Sequence, residues 1–270
     1  MAKARAGNID LEYYIEGSGP PLLLIMGFAG SAHSWGVPFV ERLSRDFSVI
    51  RFSSRGTGDS DKPADQTTVP MMADDSVALL DALGIEKAHV VGISMGGMIA
   101  QEVAISHPER VNGLVLGCTG LGAPKMVTAD AATSAAMTPD LSLPREEIIR
   151  RSWYALVSDS FVTSGHAFLE GMVASFMEWP TPMETIVKQA MAIGGFSTVG
   201  RGGSISAPTL VIHGTLDRLV PPANGDYVHA EIPGSELRSI EGVGHMFFWE
   251  KPNESAAMIT EFLSRVPARA

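Results

Sequence analysis

Apolar runs and helix-spaced apolar positions alternate along the first half of this 270-residue chain. The runs PLLLIM (21–26), FSVIRFS (47–53), HVVGIS (89–94) and VNGLVLGC (111–118) are short and continuous, the mark of strands buried on both faces. Helical spacing joins Trp35, Phe39, Val40 and Leu43 within 31–44. It returns at Met72, Val77, Leu80 and Leu83, where Gly84 supplies a stop, and a third helix is expected over 95–106. The opening residues read instead as a hairpin turning at Gly7 and Asn8. From Leu121 to Ser204 the alternation stops, leaving a helical row at Phe168, Leu169, Met172, Val173, Phe176 and Met177. It resumes with PTLVIHG (208–214), a short strand near 235–240 and a final helix over 253–263. The pattern predicts a mostly parallel, doubly wound sheet with right-handed crossovers. Residues 1–120 and 205–270 form its core, and a helical segment, 121–204, is inserted between two late strands.

Composition narrows the function classes. Hydrophobic residues make up 45% and charged residues 19%, enough apolar material for a large core. The formal net charge of -10 argues against nucleic acid or an anionic membrane as partner. A single cysteine, Cys118, supports neither a disulfide framework nor a thiolate zinc site. The N-terminus lacks the apolar stretch of a secretory signal, and no apolar run approaches the ~18–20 residues that span a bilayer. A cytoplasmic protein is expected.

The chemistry centres on Ser94, where a buried strand meets a helix in GISMG (92–96). Ligands of such sheets bind at the carboxyl ends of the strands. Small residues at 92 and 96 permit a sharp turn that lifts the hydroxyl off the sheet and aims the Met95 amide beside it. A helix-capping serine in a glycine-rich turn would look similar on five residues alone. A serine nucleophile needs a base, and His245 lies in a glycine-flanked loop after a strand and before the last helix, able to overhang the carboxyl edge. His33 is a secondary candidate; His89, His107, His166, His213 and His229 read as structural or surface residues. The base needs an acid, and Asp217 follows the strand PTLVIHG.

In the order Ser94, Asp217, His245, and in the stretches SRGTGDSDKP (54–63), HGTLDRLVPP (213–222) and GHMFFWEKP (244–252), the chain resembles the α/β-hydrolase family over nearly its whole length. The resemblance implies a serine hydrolase working through an acyl-enzyme on a Ser-His-Asp triad, with no metal or organic cofactor. It implies a second oxyanion donor, the Phe28 amide, in the loop after PLLLIM. Met26 stands where most relatives carry histidine, and Ser53 where many carry aspartate. The inserted segment would be a lid.

The expected substrate is a small or medium carboxylic ester or lactone, uncharged and partly apolar, with Trp153, Phe168, Met172 and Phe176 as candidate contacts. Carbon–carbon bond hydrolysis and cofactor-free perhydrolysis on the same triad are alternatives, as is a small-molecule receptor built on the fold.

Overall fold

The computed structural model describes residues 2–266. Eight strands form one sheet: β1 (Ala2–Ala6), β2 (Ile9–Glu16), β3 (Pro21–Ile25), β4 (Ser48–Phe52), β5 (Ala88–Ile93), β6 (Val111–Gly117), β7 (Thr209–Gly214) and β8 (Glu236–Ile240). Their spatial order is β1-β2-β4-β3-β5-β6-β7-β8. The hairpin β1–β2 and the pair β2–β4 are antiparallel, and every later pairing is parallel. The eleven helices are α1 (Val37–Leu43), α2 (Val69–Ala82), α3 (Met95–Ser106), α4 (Ala131–Met137), α5 (Arg145–Leu156), α6 (Asp159–Ser164), α7 (His166–Glu178), α8 (Met183–Gly194), α9 (Ala223–Glu231), α10 (Phe247–Glu250) and α11 (Pro252–Ser264). Helices α4 to α8 all fall between β6 and β7.

The continuous apolar runs are explained by the two covered faces of the sheet. In β3, Leu23 and Ile25 enter one core with residues of α2, α3 and α9, while Leu22 and Leu24 enter the other with residues of α1 and α11. Successive side chains point to opposite faces, so a strand buried on both must be apolar at every position. The helix expected over 31–44 is two elements. A 3-10 turn at Ala32–Trp35 ends at Gly36, whose φ of 76° breaks the helix, and α1 restarts with Pro38 in its first turn.

Strand β3 has β4 on one side and β5 on the other, so the chain departs in opposite directions from this point. The crevice at such a reversal, above the carboxyl ends of β3 and β5, is where ligands bind. Close approach of α3 to these strands depends on the glycines. A Cβ added at Gly96 would lie 2.0 Å from the Ile25 carbonyl oxygen, and one at Gly92 would lie 2.2 Å from the Gly96 carbonyl oxygen. Both obstacles are backbone and cannot rotate away. Gly96→Ala should therefore destabilise by roughly 1–3 kcal/mol or more, lowering Tm by about 2–12 °C in a thermal melt. An unchanged Tm would contradict this packing.

Candidate active site

Ser94 occupies the turn between β5 and α3 with φ 58° and ψ −122°, a conformation that L residues rarely adopt. Its geometry is over-determined. The Ser94 amide donates to the Gly117 carbonyl (2.9 Å), and its own carbonyl accepts from Thr119 Oγ1 (2.7 Å). Holding a residue there costs about 1–3 kcal/mol, strain that clusters at functional sites. The loop after β3 comes close above it: a Cβ built on Gly27 would lie 3.0 Å from Ser94 Cβ and 3.6 Å from Ser94 Oγ. A side chain at 27 would crowd the approach to that hydroxyl from this side, and glycine leaves it open.

His245 and Asp217 meet as the sequence anticipates. His245 Nδ1 donates to Asp217 Oδ2 at 2.8 Å, and both side chains are buried. The other oxygen, Oδ1, accepts the amides of Leu219 (3.0 Å) and Val220 (2.9 Å). Burial raises the Asp217 carboxyl, but the charge of His245 and the hydrogen bonds from His213 and His245 outweigh it and hold the acid below its ordinary value. The His245 loop is braced on both sides: Gly244 N donates to Glu250 Oε1 (2.7 Å) and Met246 N to the Leu156 carbonyl (2.8 Å). Glu250 also receives Ser158 N at 3.0 Å. Ser94 Oγ makes no hydrogen bond among the described residues; contacts of this kind commonly tighten only in the Michaelis complex.

Ser94 and His245 both face one cavity of about 720 Å³, which Phe28 and Met95 also line. The Phe28 and Met95 amides donate no hydrogen bond among the described residues. The walls are apolar and rich in methionine: Met26, Met98, Met126, Met137, Met183 and Met246 all contribute. Of the four candidate contacts, Phe176 of the helical row lines this cavity, whereas Phe168 and Met172 of the same row and Trp153 of α5 do not. Trp153 packs edge-on to His166 beside a separate outer cleft. Phe168 packs edge-on to Phe161 and Trp249, and Met172 is buried in the same apolar cluster. Helical spacing marks a buried face without saying whether core or cavity buries it. The cavity is walled instead by residues of α4, α5 and α8 that the sequence did not single out, among them Ile149, Ile186 and Ile193.

The loop after β3 is secured by Gln189 of α8 and by Thr181, in the loop between α7 and α8. Ala29, at φ 58°, donates its amide to Gln189 Oε1 (2.8 Å), and its carbonyl accepts from Thr181 Oγ1 (2.8 Å). The missing carboxylate at Ser53 is supplied from another strand: Ser53 Oγ donates to Glu12 Oε2 (2.7 Å) and accepts the Ala32 amide (3.0 Å). Burial raises the Glu12 carboxyl, but donors from His33, Ser53, Asp59 and Tyr14 prevail and hold it at about 2. His33, the secondary base candidate, is thereby committed to Glu12 (3.0 Å) and stacks on Trp179. His107 pairs with the Asp74 carboxylate at 2.9 Å. His213 Nε2 donates to the Val220 carbonyl (2.8 Å) and lies 3.4 Å from Asp217 Oδ2, bracing the loop that carries the acid.

The single cluster of metal-ligating side chains among the described residues is Cys118, Asp217 and His245, with ligand atoms within 4.8 Å of one another. Burial and the Asp217 charge push the Cys118 thiol well above its usual range, so the thiolate a metal needs is disfavoured. No helix of the described residues is long and apolar enough to cross a membrane.

The chain is 28% identical to a candidate carbamate hydrolase, RutD, of Azorhizobium caulinodans, over 98% of this chain and 99% of that protein. An esterase from Thermogutta terrifontis is 26% identical with a TM-score of 0.81, covering 98% of each chain. An enol-lactonase from Burkholderia xenovorans LB400, 23% identical, shares the fold with a TM-score of 0.85 over 98% of this chain and 100% of its own. With residues 20–252 matching the alpha/beta hydrolase fold family, the chain belongs to that family and is an enzyme of the hydrolase class.

Proposed function

We propose that the chain is a serine hydrolase of carboxylic esters or lactones that works through an acyl-enzyme. The observation that carries this reading is the shared cavity: a strained serine and a carboxylate-held histidine face the same apolar space. Ser94 Oγ attacks the substrate carbonyl as His245 Nε2 takes its proton, and Asp217 holds the imidazole in the tautomer that leaves Nε2 free to accept. The amides of Phe28 and Met95 receive the oxyanion. His245 returns the proton to the leaving oxygen, then activates water to release the acid and free Ser94. Relatives named for lactone, ester and carbamate cleavage support acyl chemistry at an oxygen- or nitrogen-linked carbonyl.

We also infer that 121–204 is a helical cap on the 1–120 and 205–270 core. Support comes from the cavity wall supplied by α4, α5 and α8, and from the bonds that Gln189 and Thr181 make to Ala29. In this reading the cap is part of the catalytic apparatus, because it fixes the backbone next to the Phe28 donor. Loss of one oxyanion donor costs about 10²–10³ in kcat elsewhere. Gln189→Leu, which removes the acceptor of the Ala29 amide, should therefore lower kcat by at least ~10-fold with a smaller change in KM. Unchanged kcat would separate the cap from the oxyanion loop.

A panel of 4-nitrophenyl esters of increasing acyl length, aromatic esters, lactones and carbamates tests the substrate class. The apolar wall and its flexible methionines predict turnover of several medium acyl groups. Activity confined to peptides or phosphoesters would overturn the proposal.

A further inference from the structure

One side chain on the cavity wall is charged and lies outside the acyl-transfer centre: Arg145, at the start of α5 on the rim. Its guanidinium has no carboxylate partner among the described residues. Every other described arginine except Arg45 holds one within 4.0 Å. Arg145 Nη2 donates to the Thr181 carbonyl (3.1 Å), which fixes the group and leaves its other N–H donors unused. The remaining polar wall is already engaged. Ser152 Oγ donates to the Ile149 carbonyl (2.6 Å), Thr181 Oγ1 to the Ala29 carbonyl (2.8 Å), and Ser34 Oγ accepts the Ser31 amide (3.1 Å). Apart from Ser94, His245 and the Ser34 hydroxyl proton, Arg145 is thus the side chain of this wall that still has hydrogen bonds to give among the described residues, and it gives them from a fixed positive charge. A guanidinium fork matches a carboxylate bidentately, and a protein of formal net charge -10 gathers no anion without such a local cation.

We propose that Arg145 anchors a free carboxylate at the far end of the substrate. The inference rests on the serine-hydrolase reading and sharpens it. The preferred substrate is an ester or lactone whose reacting carbonyl is joined through an apolar spacer to a carboxylate, rather than a wholly uncharged molecule. Thr181 sets the spacing, since it holds Arg145 through its carbonyl and the oxyanion loop through its hydroxyl.

The test compares the mono-4-nitrophenyl esters of adipic and suberic acids with the same compounds capped as methyl esters. Wild type should favour the free acids by at least ~10-fold in kcat/KM, mainly through KM. Arg145→Gln should bring the ratio close to one, and Arg145→Lys should keep part of it. A wild type that shows no preference, or a preference that survives in Arg145→Gln, overturns the proposal. Failure of the underlying serine reading shows differently, as turnover that persists in Ser94→Ala. Binding supplies a readout independent of turnover: monomethyl suberate should bind Ser94→Ala by calorimetry and lose that binding in Ser94→Ala with Arg145→Gln. Equal binding to both also overturns the proposal.

Discussion

If Ser94 is the proposed nucleophile, Ser94→Ala should fold normally and lose about 10⁴-fold or more of the hydrolase kcat, leaving what binding and the proposed oxyanion amides alone provide. The expectation follows from position as much as from chemistry. Ser94 is the nucleophile candidate on the cavity floor, its amide and carbonyl are both tied to neighbouring backbone and side chain, and its φ of 58° is paid for by those ties. Alanine keeps the Cβ and hence the strain. Glycine relieves it, so Ser94→Gly should be inactive yet more stable than Ser94→Ala by about 1 kcal/mol, measurable by denaturant titration. Equal activity in wild type and Ser94→Ala would place the chemistry elsewhere.

Asp217→Asn should be nearly as damaging, about 10⁴-fold in kcat, for a different reason. Oδ1 would keep its two amide donors, from Leu219 and Val220, so the loop should hold. The amide nitrogen would then face His245 Nδ1 and force that atom to accept, which puts the ring proton on Nε2, where the base must be empty. Combining Asp217→Asn with Ser94→Ala should add little, because the residues act as one unit. The sign of the pH dependence follows from the lowered acid. Asp217 has a folded pKa below its ordinary 3.8, so its contribution to stability is present above that value and is lost as pH falls through the lower, folded one. Across the range where histidine titrates, Asp217 therefore stays ionised. Loss of activity on the acid side then reports protonation of the base. A kcat/KM profile that stays flat through that range would contradict a histidine base.

Much of the sheet and the three candidate catalytic side chains could be read from the sequence because each rests on local signals. Ser94, Asp217 and His245 each follow a strand, and strand ends are visible as the close of an apolar run. The glycines at 92 and 96 had a local steric purpose that the backbone distances now express. What was hidden depends on distant partners. Gln189 reaches Ala29 across 160 residues, and Glu12 supplies a carboxylate to Ser53 across 41, with no local pattern to announce either. Phe168 and Met172 shared the helical spacing of Phe176 but turned into the packing around Trp249, since periodicity identifies a buried face and not what covers it. The break at Gly36 was masked in the same way: the apolar spacing of Trp35, Phe39 and Leu43 runs through it, while the backbone does not.

In the proposed mechanism the substrate acylates Ser94 Oγ. A fluorophosphonate reacts with an activated serine hydroxyl and leaves a stable phosphonyl adduct, so peptide mass spectrometry of the labelled protein identifies the reactive residue directly. A single adduct is expected on the peptide carrying Ser94, absent from Ser94→Ala and strongly slowed in His245→Ala. An adduct on a different residue, or labelling of Ser94 at the same rate without His245, would contradict this mechanism.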